Sequence, residues 1–264
     1  MSIALSAQIH PSAVVEPGAV IGPGCRIGPF CLIGAQVVLA ARVEVKSHAV
    51  ITGATEVGED TVIFPFASLG EVPQDLKFRG EQSRLIIGAR NRIREHVTMN
   101  TGTEGGGFVT QVGDDGLFMA GAHVAHDCQI GNRVILVNNS AVAGHCVLED
   151  DVIVGGLSGV HQWVRIGRGA IIGAVTMVTA DVIPHGLVQG PRGQLDGLNL
   201  VGLKRRGVDR AEIAALRDLY AALGDGNFRD NARRLAEEGA GGDHVREVLD
   251  FILGPSDRSF LTPK

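Results

Sequence analysis

Long apolar runs are missing from this chain, and none approaches the length of a membrane span. Positive charge is not in excess either. Lys and Arg number 24 against 29 Asp and Glu, and the formal net charge of −5 argues against a general nucleic-acid binder. Ser2-Ile3-Ala4-Leu5 lacks the charged and apolar regions of a signal peptide, so none is expected. Cysteine is scarce: Cys25, Cys31, Cys128 and Cys146 follow no disulfide framework. They are expected as buried free thiols, and the protein as cytoplasmic.

What the chain does have is a rhythm of six. An aliphatic residue recurs from Ile9 through Val15, Ile21, Ile27 and onward to Leu69, and resumes at Ile87, Ile93 and Met99. It then slips by one residue and continues from Val112 to Val178. Six is a poor multiple of 3.6 and Gly is frequent, which excludes a helical reading. A strand of four or five residues plus a bend makes one face of a prism, and three faces close a coil of 18 residues. The hexapeptides predict about nine coils, roughly 40 Å of prism. Gly or a small polar residue is expected at the bends, where a left-handed backbone is needed. The smaller residues at Ala13, Ala19, Cys25, Cys31, Ala49 and Ala67 suit crowded corners.

The expected fold is therefore mainly β: a left-handed parallel β-helix of hexapeptide repeats over residues 1–196, with a C-terminal α-helical domain over 197–264. Gly70 to Ile86 keeps the phase and is expected as an external loop, 70–86. Asn100 to Gln111, rich in Gly, shifts the phase by one. Beyond the repeats, Arg210 to Leu223 carries Ile213, Leu216, Leu219 and Tyr220 on one stripe and predicts a helix. Asn231 to Glu238 and Asp243 to Leu253 predict two more, separated by Gly239 to Gly242. These helices would cover the open end of the prism. A flat β-helical face is commonly buried against copies of itself, so a homotrimer is expected.

Histidines gather late in the repeats, at His123, His126, His145 and His161. With Val124, Val142 and Val160 stacked, the last three occupy one edge of successive coils. Surface decoration, a zinc site shared between subunits and general-base catalysis by a neutral imidazole are the readings that fit. Asp127 could orient His126, although neighbours in a strand usually point to opposite faces. Gly144 would offer a backbone N–H as an oxyanion donor.

The motifs Gln74-Asp75-Leu76-Lys77, Ala122-His123-Val124-Ala125-His126-Asp127-Cys128, Gly131-Asn132-Arg133, Ala143-Gly144-His145, Val160-His161-Gln162-Trp163 and Gly202-Leu203-Lys204-Arg205-Arg206, in this order, resemble the UDP-N-acetylglucosamine O-acyltransferases that begin lipid A synthesis. The resemblance covers nearly the whole chain. It implies transfer of a 3-hydroxyacyl group from the phosphopantetheine of acyl carrier protein to the sugar 3-hydroxyl of UDP-N-acetylglucosamine, with no cofactor of the enzyme's own and no metal. It makes His126 the general base and Gly144 the oxyanion donor. Gln74, Asp75, Lys77, His123, His145, Gln162, Asn199 and Arg205 become substrate contacts, Asp75 and Lys77 reaching in from a neighbouring subunit. Active sites would lie between subunits. Gly173 and Ala174 match the position that sets acyl length, and the basic stretch of Lys204, Arg206 and Arg217 suits an acidic carrier protein. Asn100-Thr101 stand where better-known members carry His-Arg, in a segment expected to face the acceptor. That leaves N-acylation of a 3-amino analogue as an alternative; a trimeric β-helical zinc lyase is the alternative of another class.

Overall fold

The computed structural model describes residues 2–224, 227–239 and 241–263. Among these residues the repeats form three sheets of 9, 11 and 9 strands, parallel except for the last pair of the second, wound as a left-handed β-helix. Ile21 pairs with Leu39, eighteen residues on, and the same step joins Ile27 to Val45 and Ile33 to Ile51. Most hydrogen-bonded strands are only two residues long, such as Val20–Ile21; the bends take the rest of the expected four or five. The aliphatic markers point inward and are buried, as Ile33, Leu39, Ile51, Ile63 and Leu136 show at 0% exposure. Each such side chain contributes about 1.5–3 kcal/mol.

The second inward position holds small residues for a chemical reason as well as a steric one. Cys25 Sγ donates to Ala40 O at 2.9 Å, Cys146 Sγ to His161 O at 3.0 Å and Ser158 Oγ to Gly173 O at 2.8 Å. A thiol or hydroxyl there satisfies a corner carbonyl of the next coil. All four cysteines are free and buried.

Glycine at the bends works differently from expectation. The left-handed corner position is filled mostly by other residues, among them Phe30 (φ 59°), Asp127 (59°), His145 (61°), Trp163 (67°) and Val175 (57°). Each costs roughly 1–2 kcal/mol locally and persists because coils above and below hold it. Gly22 and Gly58, which follow their aliphatic markers, are required by proximity instead. A Cβ on Gly22 would lie 2.6 Å from the backbone of Ala40, and one on Gly58 2.4 Å from Gly88.

Two edges of the prism carry ladders built from these corner residues. Between the first and second faces, Arg42 pairs with Asp60, Arg90 with Asp115 and Arg133 with Asp151. Between the second and third, Phe30, His48, Phe66 and His96 stack with ring centroids 5.0, 5.1 and 5.2 Å apart.

Both interruptions leave from the remaining edge, between the third and first faces. Val57 pairs with Ile87, thirty residues on, and Ile87 with Val112, twenty-five on, against the regular eighteen. The first excursion is shorter than the expected 70–86, because strands Ser68–Glu71 and Arg84–Ile87 consume its ends. The second contains a short 3-10 turn, Glu104–Gly106.

The sheet runs past the expected boundary at 196: strand Gln194–Leu198 turns back antiparallel on Gly186–Gln189. Helix α1 (Leu200–Arg205), which no apolar stripe announces, follows at once. Then come α2 (Arg210–Gly224), α3 (Phe228–Glu237) and α4 (Asp243–Leu253). α3 starts earlier than expected because Asn227 caps it, accepting from Asp230 N. Ala240, within the expected Gly239–Gly242 break, lies outside the described residues. The last residues return to the prism, pairing Phe260 with Asp181 and Pro263 with Leu195. No helix among the described residues is long and apolar enough to cross a membrane.

Candidate active site

The edge that releases both excursions also carries His126, Asp127, His145, His161 and Trp163. His126 is 5% exposed and Asp127 also 5%. Their side chains converge because Asp127 occupies the left-handed corner rather than the next strand position. His126 Nδ1 lies 2.8 Å from Asp127 Oδ2. The carboxylate can only accept here, so Nδ1 carries a proton, and in the neutral ring Nε2 is the nitrogen with the lone pair. Thr103 N donates to Asp127 Oδ1 at 2.7 Å and Thr103 Oγ1 to Oδ2 at 2.5 Å. Burial alone would push the Asp127 carboxyl up, yet these bonds from His126 and Thr103 outweigh it and hold the group below its ordinary value.

The second excursion therefore does more than shift the phase: it wraps Asp127. Two of its glycines are required by contact, since a Cβ on Gly106 would sit 2.0 Å from Asp127 Cγ and one on Gly102 2.8 Å from Asp127 Oδ1. The broken rhythm marks this excursion in the sequence but gives no sign of Thr103, whose partner lies 24 residues away.

A cavity of about 430 Å³ opens beside His126, lined by Gln74, His123, Gly144, His161 and Gln162, with Ala141, Gly159 and Met177 as its apolar wall. Gly144 cannot bear a side chain, because a Cβ would lie 2.4 Å from His126 Cε1. The flanking amides of Ala143 and His145 donate along the coils to Val160 O and His126 O. His145 meets His126 edge-on at 4.9 Å and stacks on Trp163 at 3.9 Å. Burial lowers the pKa of both His145 and His123, the latter bonded to Thr98 Oγ1 at 2.7 Å.

A second cavity of about 260 Å³ places Asp75 and Lys77 against His145, Trp163 and Thr103 of the same chain. Within one chain, then, the excursion folds back over its own edge. Asn100 and Thr101 do not line the cavity beside His126. Asn100 Nδ2 donates to Glu71 O and Val72 O, and Thr101 Oγ1 accepts from Ser83, so the pair stitches down the base of that excursion.

The remaining residues lie elsewhere. Asn199 caps α1, accepting from Gly202 N and donating to Gly169 O, on the edge between the first and second faces. Arg205 and Lys204 are exposed at the end of α1, and Arg217 on α2. Arg206 reaches His185 Nδ1 at 3.2 Å. Gly173 and Ala174 sit at the corner between the second and third faces and do not line the His126 cavity.

His126, Asp127 and His145 hold donor atoms within 4.8 Å of one another. Both Nδ1 atoms address the same Oδ2, 2.8 and 3.6 Å away, and Thr103 occupies the carboxylate as well. The arrangement suits a carboxylate-oriented base better than a zinc centre.

A β-helix with an oriented imidazole at its edge and an apolar-walled cavity beside it defines a hexapeptide-repeat acyltransferase. The hexapeptide transferase model matches residues 6–35 and 18–53, and the model described as UDP N-acetylglucosamine O-acyltransferase, domain 2, matches 181–261. The acyl-[acyl-carrier-protein]–UDP-N-acetylglucosamine O-acyltransferase of Paracoccus denitrificans is 83% identical over 202 residues, 76% of this chain and 77% of that one. The protein of that name from Rhizobium johnstonii is 52% identical over 264 residues, 99% and 97% of the two chains. The solved UDP-N-acetylglucosamine acyltransferase from Campylobacter jejuni superposes with a TM-score of 0.92 at 35% identity, covering 97% of this chain and all of that one. The chain belongs to the acyl-[acyl-carrier-protein]–UDP-N-acetylglucosamine O-acyltransferase family.

Proposed function

We propose that the protein transfers a 3-hydroxyacyl group from acyl carrier protein to the 3-hydroxyl of the glucosamine ring of UDP-N-acetylglucosamine, the opening step of lipid A synthesis. The observation that carries the reading is His126, its Nδ1–H held by Asp127 and its Nε2 left free beside a cavity that Gly144 borders.

His126 Nε2 takes the proton of the sugar hydroxyl as the oxygen attacks the thioester carbonyl. The Gly144 N–H supports the oxyanion. Collapse breaks the C–S bond, and the imidazolium returns its proton to the departing phosphopantetheine thiolate. Asp127 stabilises the transient positive charge. Such a base contributes about 10²–10⁴-fold. The thioester arrives on the carrier protein, so the chemistry requires no resident cofactor or metal and takes place in the cytoplasm.

The working unit in this reading is a homotrimer. Asn199 and Arg205 belong to a different edge of the prism from His126. If both groups hold one sugar nucleotide, they come from different copies, with His126, Asp75 and Lys77 from one subunit and Asn199 and Arg205 from the next. Lys204, Arg206 and Arg217 lie toward the same end and suit an acidic carrier protein.

The test is acyl transfer from 3-hydroxyacyl carrier proteins of several lengths, with UDP-N-acetylglucosamine and its 3-amino analogue as acceptors. The expected result is ester formation that falls by about 10² or more in His126→Ala. A folded protein that transfers to neither acceptor, or a His126→Ala variant with undiminished activity, would overturn the reading.

A further inference from the structure

The C-terminal tail ends up beside the site, although nothing in its sequence announces this. After α4 the chain returns to the last coil, where Asp181 gathers it. Asp181 N donates to Ser259 O at 2.8 Å, Leu261 N to Asp181 O at 2.9 Å, and Ser256 Oγ to Asp181 Oδ2 at 2.6 Å. Asp181 is fully buried, and its carboxylate also accepts from Arg165 N and Nε at 2.8 Å each. Phe260 packs against the Arg165 guanidinium at 5.7 Å. The tail is thus tied into the same edge of the prism that carries His126.

From that anchored strap Arg258 reaches to the coil beneath. Its Nε donates to Gln162 O at 3.0 Å, and an Nη lies 2.7 Å from His161 Nδ1. His161 and Gln162 both line the cavity beside His126. Guanidinium has protons to give and no lone pair to offer, so His161 Nδ1 must accept. His161 Nδ1 and Gln162 O are themselves 3.3 Å apart, two acceptors that Arg258 bridges.

We propose that Arg258 is a positioning residue for the transfer reaction. By committing His161 Nδ1 as an acceptor it fixes the ring as the Nε2–H tautomer, and so makes His161 a hydrogen-bond donor to the oxygens of the substrate in the His126 cavity. The inference rests on the acyl-transfer reading for its consequence, but not for the tautomer itself. His126 and His161 then work with opposite polarity on one edge, the first presenting a lone pair and the second a proton. A carboxylate sets the first and a guanidinium the second.

Two measurements test this. In ¹⁵N-detected NMR at neutral pH, His161 Nδ1 is expected to show the shift of an unprotonated ring nitrogen, moving toward a tautomer mixture in Arg258→Met. No change in that variant would overturn the tautomer claim whether or not the protein transfers acyl groups. In kinetics, Arg258→Met is expected to lower kcat/KM about tenfold, the scale of one charge-assisted hydrogen bond. The same substitution in a His161→Ala background should cost little more. Arg258→Lys, which keeps a donor, should recover part of the loss. An equal loss with and without His161, in proteins of matched thermal stability, would mean that the tail only braces the fold. Absence of transfer in the wild type would instead indict the acyl-transfer reading and leave the NMR result standing.

Discussion

A single corner residue does much of the arranging at this site. Asp127 adopts φ 59°, which brings it round to the side of the residue before it and lets it meet His126 Nδ1. In a regular strand the two would diverge. Sequence periodicity places His126 and Gly144 correctly because their aliphatic markers lie one coil apart. It cannot place Asp127, since the alternation of a strand gives the wrong answer at a left-handed bend. Thr103 is beyond its reach for another reason: that partnership depends on how an excursion folds back in space. Gly144 is the sharpest local constraint. Gly144→Ala is expected to abolish measurable transfer while leaving the melting temperature within a few degrees, because the new methyl would collide with the His126 imidazole and not with the core. Steady-state rates beside a thermal melt check this, and an active Gly144→Ala enzyme would contradict the geometry.

Elements join through charge as well as through apolar contact. α4 is latched to the prism by Glu247, which lies between Arg168 Nε at 2.5 Å and His185 Nε2 at 3.1 Å. Burial would raise the Glu247 pKa, but bonds from His185 and Arg168 outweigh it and bring it to about 2, from an ordinary value of 4.5. A carboxyl whose pKa is depressed on folding stabilises the fold above its unfolded value and loses that contribution as pH falls through the folded one. Glu247→Gln is therefore expected to lower the melting temperature most near neutrality. The gap to wild type should narrow below pH 4.5 and close toward pH 2. Melts of the two proteins at several pH values decide it, and a gap that stays constant would mean the latch is steric. α2 was legible as a helix from its apolar stripe, whereas α1 is too short for a stripe and is specified by the Asn199 cap. The two excursions were legible as breaks in the rhythm. What they hold down was not.

The molecule separates its candidate site residues by edges: His126 on one, Asn199 at the start of the helix that carries Arg205 on another. This makes a prediction about subunits. His126→Ala and Arg205→Ala chains should each transfer poorly as pure proteins. Denatured together and refolded as a mixture, they should regain activity, because some interfaces then combine an intact His126 with an intact Arg205. Activity no higher than the separate proteins would place both groups in one chain's site.

The ladders on the other two edges set a limit of a different kind. Arg alternates with Asp on one and Phe with His on the other, while the backbone repeats every eighteen residues. A duplication or deletion of one coil would leave its hydrogen bonds in order but lay like upon like along those edges. Two coils restore the sequence of partners. The unit that heredity can copy without friction is thus the pair, and scaffolds of this pattern should differ in height by even numbers of coils.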